Sequence, residues 1–186
     1  MNNLKIKRLL ATGILGLTLT GCVTPQASAA EIPTTKVVQN KSVNSINMTT
    51  SLIYTAKMNK NTAKMKETLM KIFHRVNKTP YVFAGDSIRY GWDCSGMVVW
   101  MYEQFGLTLP HSATAQAKIG NRVAKPKIGD IVIFGYKGYK SFYHSAIYIG
   151  KGKVVNANSG AGTTIIEPLT NYKNNRIAYV RVVPTI

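Results

Sequence analysis

Asp93-Cys94-Ser95-Gly96-Met97-Val98-Val99-Trp100-Met101-Tyr102-Glu103-Gln104-Phe105-Gly106 is the stretch on which the fold turns. Val98, Met101, Tyr102 and Phe105 recur at helical spacing, and Gly106 supplies a stop. The segment is apolar almost all round, which predicts a buried central helix. Asp93 suits the N-cap, with the alternative that its carboxylate serves a substrate. Cys94 therefore stands in the first helical turn. A thiol attacks only as its thiolate, and a helix N-terminus with a nearby imidazolium can lower a cysteine pKa from about 8.5 to roughly 3.5–7.5. A single cysteine is most often a small core hydrophobe. The first-turn position points the sulfur toward the loop instead, which favours a nucleophile.

A base is expected on a strand fifty residues later. Ser141 to Ile149 alternates, with Tyr143, Ser145, Ile147 and Ile149 on one face and His144, Ala146 and Tyr148 on the other. Gly150-Lys151-Gly152 turns the chain, and Lys153 to Asn158 returns as a second strand. A three-residue loop with a left-handed glycine pairs 146 with 156 and 144 with 158, which places Asn156 and Asn158 on the face of His144. A two-residue loop would shift the register by one and turn both asparagines away. The asparagine carbonyl then accepts from one ring nitrogen of His144 and leaves the other for the thiol. Cysteine, histidine and an orienting amide form a papain-like triad.

The run Thr79-Pro80-Tyr81-Val82-Phe83-Ala84-Gly85, the Asp-Cys-Ser-Gly segment, Leu109-Pro110-His111-Ser112 followed by Gln116, Ile128-Gly129-Asp130-Ile131-Val132-Ile133-Phe134, and the segment from His144 to Ala157 keep a fixed order and spacing. Together they resemble the NlpC-type cysteine peptidases of bacterial cell walls, over roughly residues 62–183. The resemblance implies a papain-like α+β domain, with N-terminal helices packed on a central antiparallel sheet. It implies cleavage of peptidoglycan stem peptides, often between γ-D-glutamate and the diamino acid. Cys94 would be the nucleophile, His144 the general base and Asn156 the third polar residue. Tyr81 matches the family's tyrosine near the thiol, and Asp93 and Ser95 match positions that line the substrate subsite in some relatives.

Two departures stand out. Ala84-Gly85 replaces the two glycines usual after the aromatic, so the loop beside the nucleophile is expected to be slightly reshaped. His111 stands where an arginine is common, and both changes bear on substrate choice. The third residue is most often histidine, and an asparagine orients without contributing an ion pair.

In the expected reaction the Cys94 thiolate attacks an amide carbonyl, His144 protonates the leaving amine, and water hydrolyses the thioester with His144 as base. The Cys94 backbone N–H and the Tyr81 hydroxyl are the candidate oxyanion donors. Two rival readings are a papain-like N-acetylmuramoyl-L-alanine amidase and a non-catalytic wall-binding lipoprotein of the same fold.

The N-terminus bears on where this chemistry occurs. Lys5, Lys7 and Arg8 precede an apolar run from Leu9 to Leu19, which reads as an export signal too short to favour a spanning anchor. Leu19-Thr20-Gly21-Cys22 resembles a lipobox, so residues 1–21 are expected to be removed and Cys22 lipidated. The alternative is cleavage after Ala29 or Ala30 and a secreted protein. A diacyl anchor would hold the chain in the bilayer. Val23 lacks the aspartate that retains such proteins in an inner membrane, so a two-membrane host would carry it on the outer membrane's periplasmic leaflet. A one-membrane host would carry it on the outer face of the plasma membrane. Residues 22–60, rich in Asn, Thr, Ser and Lys, read as a flexible tether. Met65, Leu69, Ile72, Phe73 and Val76 mark the first helix of a catalytic domain over 61–186.

The chain has only two cysteines, and a disulfide between them would abolish both expected roles. His74, His111 and His144 show no closely spaced ligand pattern, so neither a metal nor another cofactor is expected. The net charge is +17; without Lys5, Lys7 and Arg8 it is +14. Such a surface favours anionic envelope polymers, with salt-sensitive attraction. Nucleic acid is disfavoured, because the lysines are dispersed and the chain is read as exported. A monomer is expected. Tyr136, Lys137, Tyr139 and Lys140 form a basic aromatic loop before the histidine strand, read either as a grip for glycan or peptide or as a solvated hairpin loop.

Overall fold

The computed structural model describes residues 41–184, with side chains from residue 48 onward. Helix α1 runs Lys41–Phe73. A small hairpin, β1 (Asp86–Ser87) and β2 (Gly91–Trp92), leads into α2 (Cys94–Glu103) and the short α3 (Ala113–Gln116). Strands β3 (Asn121–Val123), β4 (Ile131–Tyr136), β5 (His144–Gly150), β6 (Lys153–Asn158) and β7 (Thr163–Pro168) follow. A 3₁₀ turn at Leu169–Tyr172 and β8 (Asn175–Arg181) end the described chain. Helices thus pack on a six-stranded antiparallel sheet of order β3-β8-β4-β5-β6-β7, the α+β arrangement expected.

Strand alternation divides the apolar side chains into two layers. Ile131, Ile133, Ile147, Val155, Ala157 and Val180 pack with Leu69 and Ile72 of α1 and with Met97, Val98, Met101 and Tyr102 of α2. On the other face Val132, Phe134, Ala146 and Val154 collect Tyr148, Leu169, Tyr172, Ile177 and Tyr179. β4 is buried on both faces, which explains its unbroken apolar run. Two polar ties fix α2 and the β1–β2 hairpin to the framework: the Tyr102 hydroxyl donates to Gly129 O at 2.9 Å, and Trp92 Nε1 donates to Thr164 Oγ1 at 2.7 Å.

Two expectations need correction. The segment 41–60, read as part of a flexible tether, is helical, and α1 begins twenty residues before the expected start at Asn61. It has no proline or glycine, and extending a helix from the anchored turn at Met65 to Ile72 costs little once nucleated. Met48, Leu52, Ile53 and Tyr54 remain exposed, so tertiary burial still starts only near Met65. The segments expected to hold the signal and Cys22 lie outside the described residues.

The β5–β6 turn is also different. Lys151 and Gly152, at φ 50° and 66°, form a two-residue turn closed by the Gly150–Lys153 pair. An irregularity between Tyr148 and Gly150 then inserts one residue, and Ile147 faces Val155 as the three-residue loop would have had it. The bulge cancels the register shift of the shorter turn.

Candidate active site

Loop 80–92 delivers the chain to the start of α2. Tyr81 N donates to Gly162 O, Val82 N to Trp92 O and Asp93 N to Gly85 O, so the loop is laced to β7's approach and to its own hairpin. Asp93 is the N-cap, with extended backbone. Its Oδ1 accepts from Gly96 N at 2.7 Å and Ser95 Oγ at 2.9 Å and lies 2.9 Å from His111 Nε2, while Oδ2 accepts from Ala84 N at 3.0 Å. Burial opposes ionisation of this carboxyl, but the hydrogen bonds from Gly96, His111 and Ser95 outweigh it and hold its pKa below the ordinary range. Asp93 is thus a cap and a loop organiser at once. Ser95 is buried beside it, and Gln116 Nε2 holds the Ser95 carbonyl at 3.0 Å.

Ala84 has φ 59°, the left-handed conformation that a glycine adopts without cost. The alanine in place of glycine is therefore accommodated by strain within the loop.

Cys94 opens α2 and lines two cavities, of about 240 and 460 Å³. The smaller also takes in His144, Asn158, Ser159 and Tyr172; the larger takes in Phe83, Asp93, Ser95, His111 and Phe142. Tyr81 and Tyr143 border both. The thiol stands where the two halves of a cleft meet, which suits an extended chain gripped on both sides of one bond.

His144, the first residue of β5, lies on the sheet face opposite α2 and borders the smaller cavity together with Cys94. The next residue, Ser145, directs its backbone N–H at the Cys94 sulfur. His144 Nε2 lies 3.1 Å from Asn156 Oδ1, and Asn156 is fully buried. Asn156 Nδ2 in turn donates to Glu167 Oε1 at 2.8 Å. A carboxylate only accepts, so this bond sets the amide's orientation and makes Nε2 the protonated ring nitrogen. Nδ1, with its lone pair, is left for the cleft.

The electrostatics differ from the expected lowered thiol pKa. Burial pushes the Cys94 thiol up, and the charge of Asp93 adds to it; the backbone N–H groups of Ser145, Ser95 and Cys94 oppose the rise without cancelling it. Burial lowers the pKa of His144 in spite of the Asn156 hydrogen bond and the charges of Glu167 and Asp93. Both shifts favour the neutral form of the group. The Tyr81 hydroxyl, raised chiefly by burial with the Asp93 carboxylate adding to it, stays protonated and able to donate.

Glu167 and Tyr172 escaped the sequence reading. Glu167 is on β7, two residues beyond Ile165, which pairs with Asn156, so it meets Asn156 diagonally across the sheet. No motif marks it; the only available signal was the register of a third strand. The Tyr172 ring stacks on Phe134 at 3.9 Å and lies 6.0 Å from the His144 ring.

The basic aromatic loop is pinned at the rim. Arg176 donates to Lys140 O and Ser141 O at 2.9 and 3.1 Å and lies over the Phe142 ring at 3.9 Å. The Tyr136 and Tyr143 rings stack at 4.5 Å, with Tyr139 edge-on to Tyr136, and all three remain exposed.

A family model described as NlpC/P60 family matches residues 78–182. The chain is 36% identical over 96 residues to a bifunctional muramidase/DL-endopeptidase, CwlT, of Bacillus subtilis, a match covering 50% of this chain and 29% of that protein. It is 34% identical over 93 residues to a γ-D-glutamyl-L-lysine dipeptidyl-peptidase of Bacillus cereus, covering 48% and 28%. The crystal structure of an NlpC/P60 family protein from Bacillus cereus superposes with TM-score 0.58 at 28% identity, over 64% of this chain and 40% of that one. The match thus spans less than a third of the length of either curated relative.

Proposed function

Since the chain belongs to the NlpC/P60 family, we propose that it hydrolyses peptidoglycan stem peptides as a cysteine endopeptidase, cutting the bond between γ-D-glutamate and the diamino acid. One observation carries this reading: Cys94, at a helix start, shares a cavity with His144, whose Nε2 is held by the buried Asn156. The relatives named as a DL-endopeptidase and a γ-D-glutamyl-L-lysine peptidase support the choice of bond.

Burial favours the neutral form of both groups, and the reaction then begins with proton transfer. His144 Nδ1 takes the thiol proton as the Cys94 sulfur bonds to the scissile carbonyl carbon, whose oxygen becomes the oxyanion. The Cys94 backbone N–H and the Tyr81 hydroxyl are the donors assigned to that oxygen. The imidazolium then protonates the leaving nitrogen, the C–N bond breaks, and a thioester remains. Water gives a proton to His144 and its oxygen to the acyl carbon; the imidazolium returns the proton to sulfur as the C–S bond breaks. Asp93 and Ser95 shape the larger half of the cleft rather than enter the chemistry. The Tyr136–Tyr143 rim is assigned to the glycan or peptide on either side of the cut.

We assign the protein to the exported cell envelope. Lipidation at Cys22 would anchor it in a bilayer, and its basic surface would hold it against anionic envelope polymers. Detergent-phase partitioning should be lost in Cys22→Ala; an unchanged partition would remove the anchor. The activity is tested by digesting purified peptidoglycan with the protein and with Cys94→Ala, and identifying the products by mass spectrometry. Fragments ending at γ-D-glutamate should appear with the parent alone. Cleavage at the muramoyl–L-alanine bond would make it an amidase, and binding without any cleavage would make it a wall-binding protein.

A further inference from the structure

Asn156 orients His144 but carries no charge to balance the imidazolium that forms during acyl transfer. The charge lies one hydrogen bond further back. Glu167 Oε1 accepts from Asn156 Nδ2 at 2.8 Å, from the Tyr172 hydroxyl at 2.8 Å and from Asn158 Nδ2 at 3.4 Å, while Oε2 accepts from Asn171 Nδ2 at 2.9 Å. Four side chains from β6 and the 3₁₀ turn thus converge on one carboxylate, behind the residue that holds the histidine. We propose that Glu167 is a positioning residue for His144: through Asn156 it fixes the imidazole in the Nε2–H tautomer, and its negative charge stabilises the imidazolium.

Two physical arguments support this. A primary amide can turn by half a rotation and exchange its oxygen for its nitrogen. If Asn156 did so, Nδ2 would face His144 Nε2, the ring proton would move to Nδ1, and a donor would point at the thiol that needs an acceptor. Glu167 forbids the turn, since the exchanged amide would set an oxygen against a carboxylate within a buried site. Neutral Asn and Tyr partners leave the carboxylate's charge in place. Burial opposes its ionisation, but the hydrogen bonds from Asn171, Tyr172, Asn156 and Asn158 together hold its pKa below the ordinary range. The ionisable groups around His144 are Cys94 at the start of α2, its N-cap Asp93, Tyr81, Tyr143, Tyr172 and Glu167, and of these the two carboxylates favour its cationic form. The orienting amide and the counter-charge are therefore supplied by two residues on neighbouring strands.

The inference rests on the cysteine-hydrolase reading for its effect on catalysis, and its effect on the imidazole can be seen without a substrate. Glu167→Gln removes the charge but can keep an oxygen facing Asn156, with its amide nitrogen at the exposed Oε2 position. Glu167→Met removes both charge and acceptor. In ¹⁵N NMR of the full chain, with His144 assigned by substituting His74 and His111, the parent should show the Nε2–H tautomer. Glu167→Gln should keep that tautomer, titrate at lower pH and lose about tenfold in kcat. Glu167→Met should populate the Nδ1–H tautomer and lose about a hundredfold in kcat with KM within about twofold; removing the hydrogen-bond partner behind a functional histidine costs 10–100-fold in metal sites. An unchanged tautomer and kcat in Glu167→Met, or an unchanged His144 titration in Glu167→Gln, would overturn the proposal. If Glu167→Met does not fold, the Gln variant's titration decides. A parent that does not cut peptidoglycan but shows these NMR shifts would sink the hydrolase reading and leave the role of Glu167 standing.

Discussion

Gly96 packs its α-carbon against the carbonyl oxygen of Gly85, so that a Cβ on Gly96 would overlap that oxygen and stand 2.8 Å from His111 Nε2. The same carbonyl accepts from Asp93 N at 2.9 Å. The glycine that follows Asp-Cys-Ser is therefore where α2 and loop 80–92 touch backbone to backbone. Gly96→Ala should cost about 1–3 kcal/mol, the usual range for overpacking. Because the loop that must move carries the Ala84 and Gly85 contacts to Asp93, hydrolytic activity should fall more steeply than the denaturation midpoint.

Ala84 pays a backbone penalty that glycine would not. An L-residue in the left-handed region is disfavoured by roughly 1–2 kcal/mol, against about 0.5–1 kcal/mol of added unfolded-state entropy for glycine. Ala84→Gly should raise stability by about 0.5–1 kcal/mol in urea unfolding, with Ala84 N still donating to Asp93. A fall in stability would show that the alanine methyl contributes packing that outweighs its strain.

Stability should fall on both sides of neutrality. His144 has a folded pKa below its ordinary 6.5, so the unfolded chain takes up a proton first and stability drops as pH falls through about 6.5. Asp93 and Glu167 have folded values below the ordinary carboxylate range; their contribution is complete above the unfolded pKa and is lost as pH falls through the folded one. Cys94 acts at the other end, since a thiol raised above its ordinary 9.0 ionises first in the unfolded chain and stability drops above that pH. Melting temperature against pH should show the acid flank near pH 6.5 reduced in His144→Gln and the alkaline flank reduced in Cys94→Ala. Flanks unmoved by these substitutions would assign the titrations elsewhere.

The thiol's own reactivity gives a kinetic form of the same statement. Alkylation of Cys94 by iodoacetamide should keep rising above pH 9 rather than reach a plateau near neutrality, because the resting thiol is protonated. A plateau below pH 7 would establish a resting thiolate–imidazolium pair.

Asp130 and Arg181 close the sheet beside β4. Arg181 donates Nε to Oδ1 at 2.9 Å and its second guanidinium nitrogen to Oδ2 at 2.6 Å, and Asp130 is 2% exposed. Lys127 N also donates to Asp130 Oδ2 at 2.7 Å. Asp130→Ala should cost about 1.5–3 kcal/mol, the loss typical of hydrogen bonds to a charged group, since the Arg181 left behind is partly exposed. The paired replacement Asp130→Leu with Arg181→Met should recover much of it; equal losses in the single and double variants would show that the Lys127 loop bond dominates.

Much of the site was legible because its signals are local. The apolar period after Cys94 marked α2, and the Asp93 cap bond to Gly96 N is a short-range interaction that residue type alone suggests. The face shared by His144 and Asn156 followed from alternation in two neighbouring strands. Even there the route differed: a two-residue turn and a bulge together gave the register expected from a three-residue loop, a compensation that residue spacing does not reveal.

The sequence by itself determined the elements whose cause lies within a few residues: the helix that opens at Cys94, the strand of His144 and the hairpin that brings Asn156 beneath it. Tertiary structure decided what depends on distant neighbours. It placed Glu167 behind Asn156 through the order of β6 and β7, and it set the ionisation of Cys94 and His144. The reason is that a helix start and a nearby base act through short-range dipoles and bonds that a sequence displays. Burial is a property of everything packed around a group, and here its cost for charge exceeds what those local dipoles return.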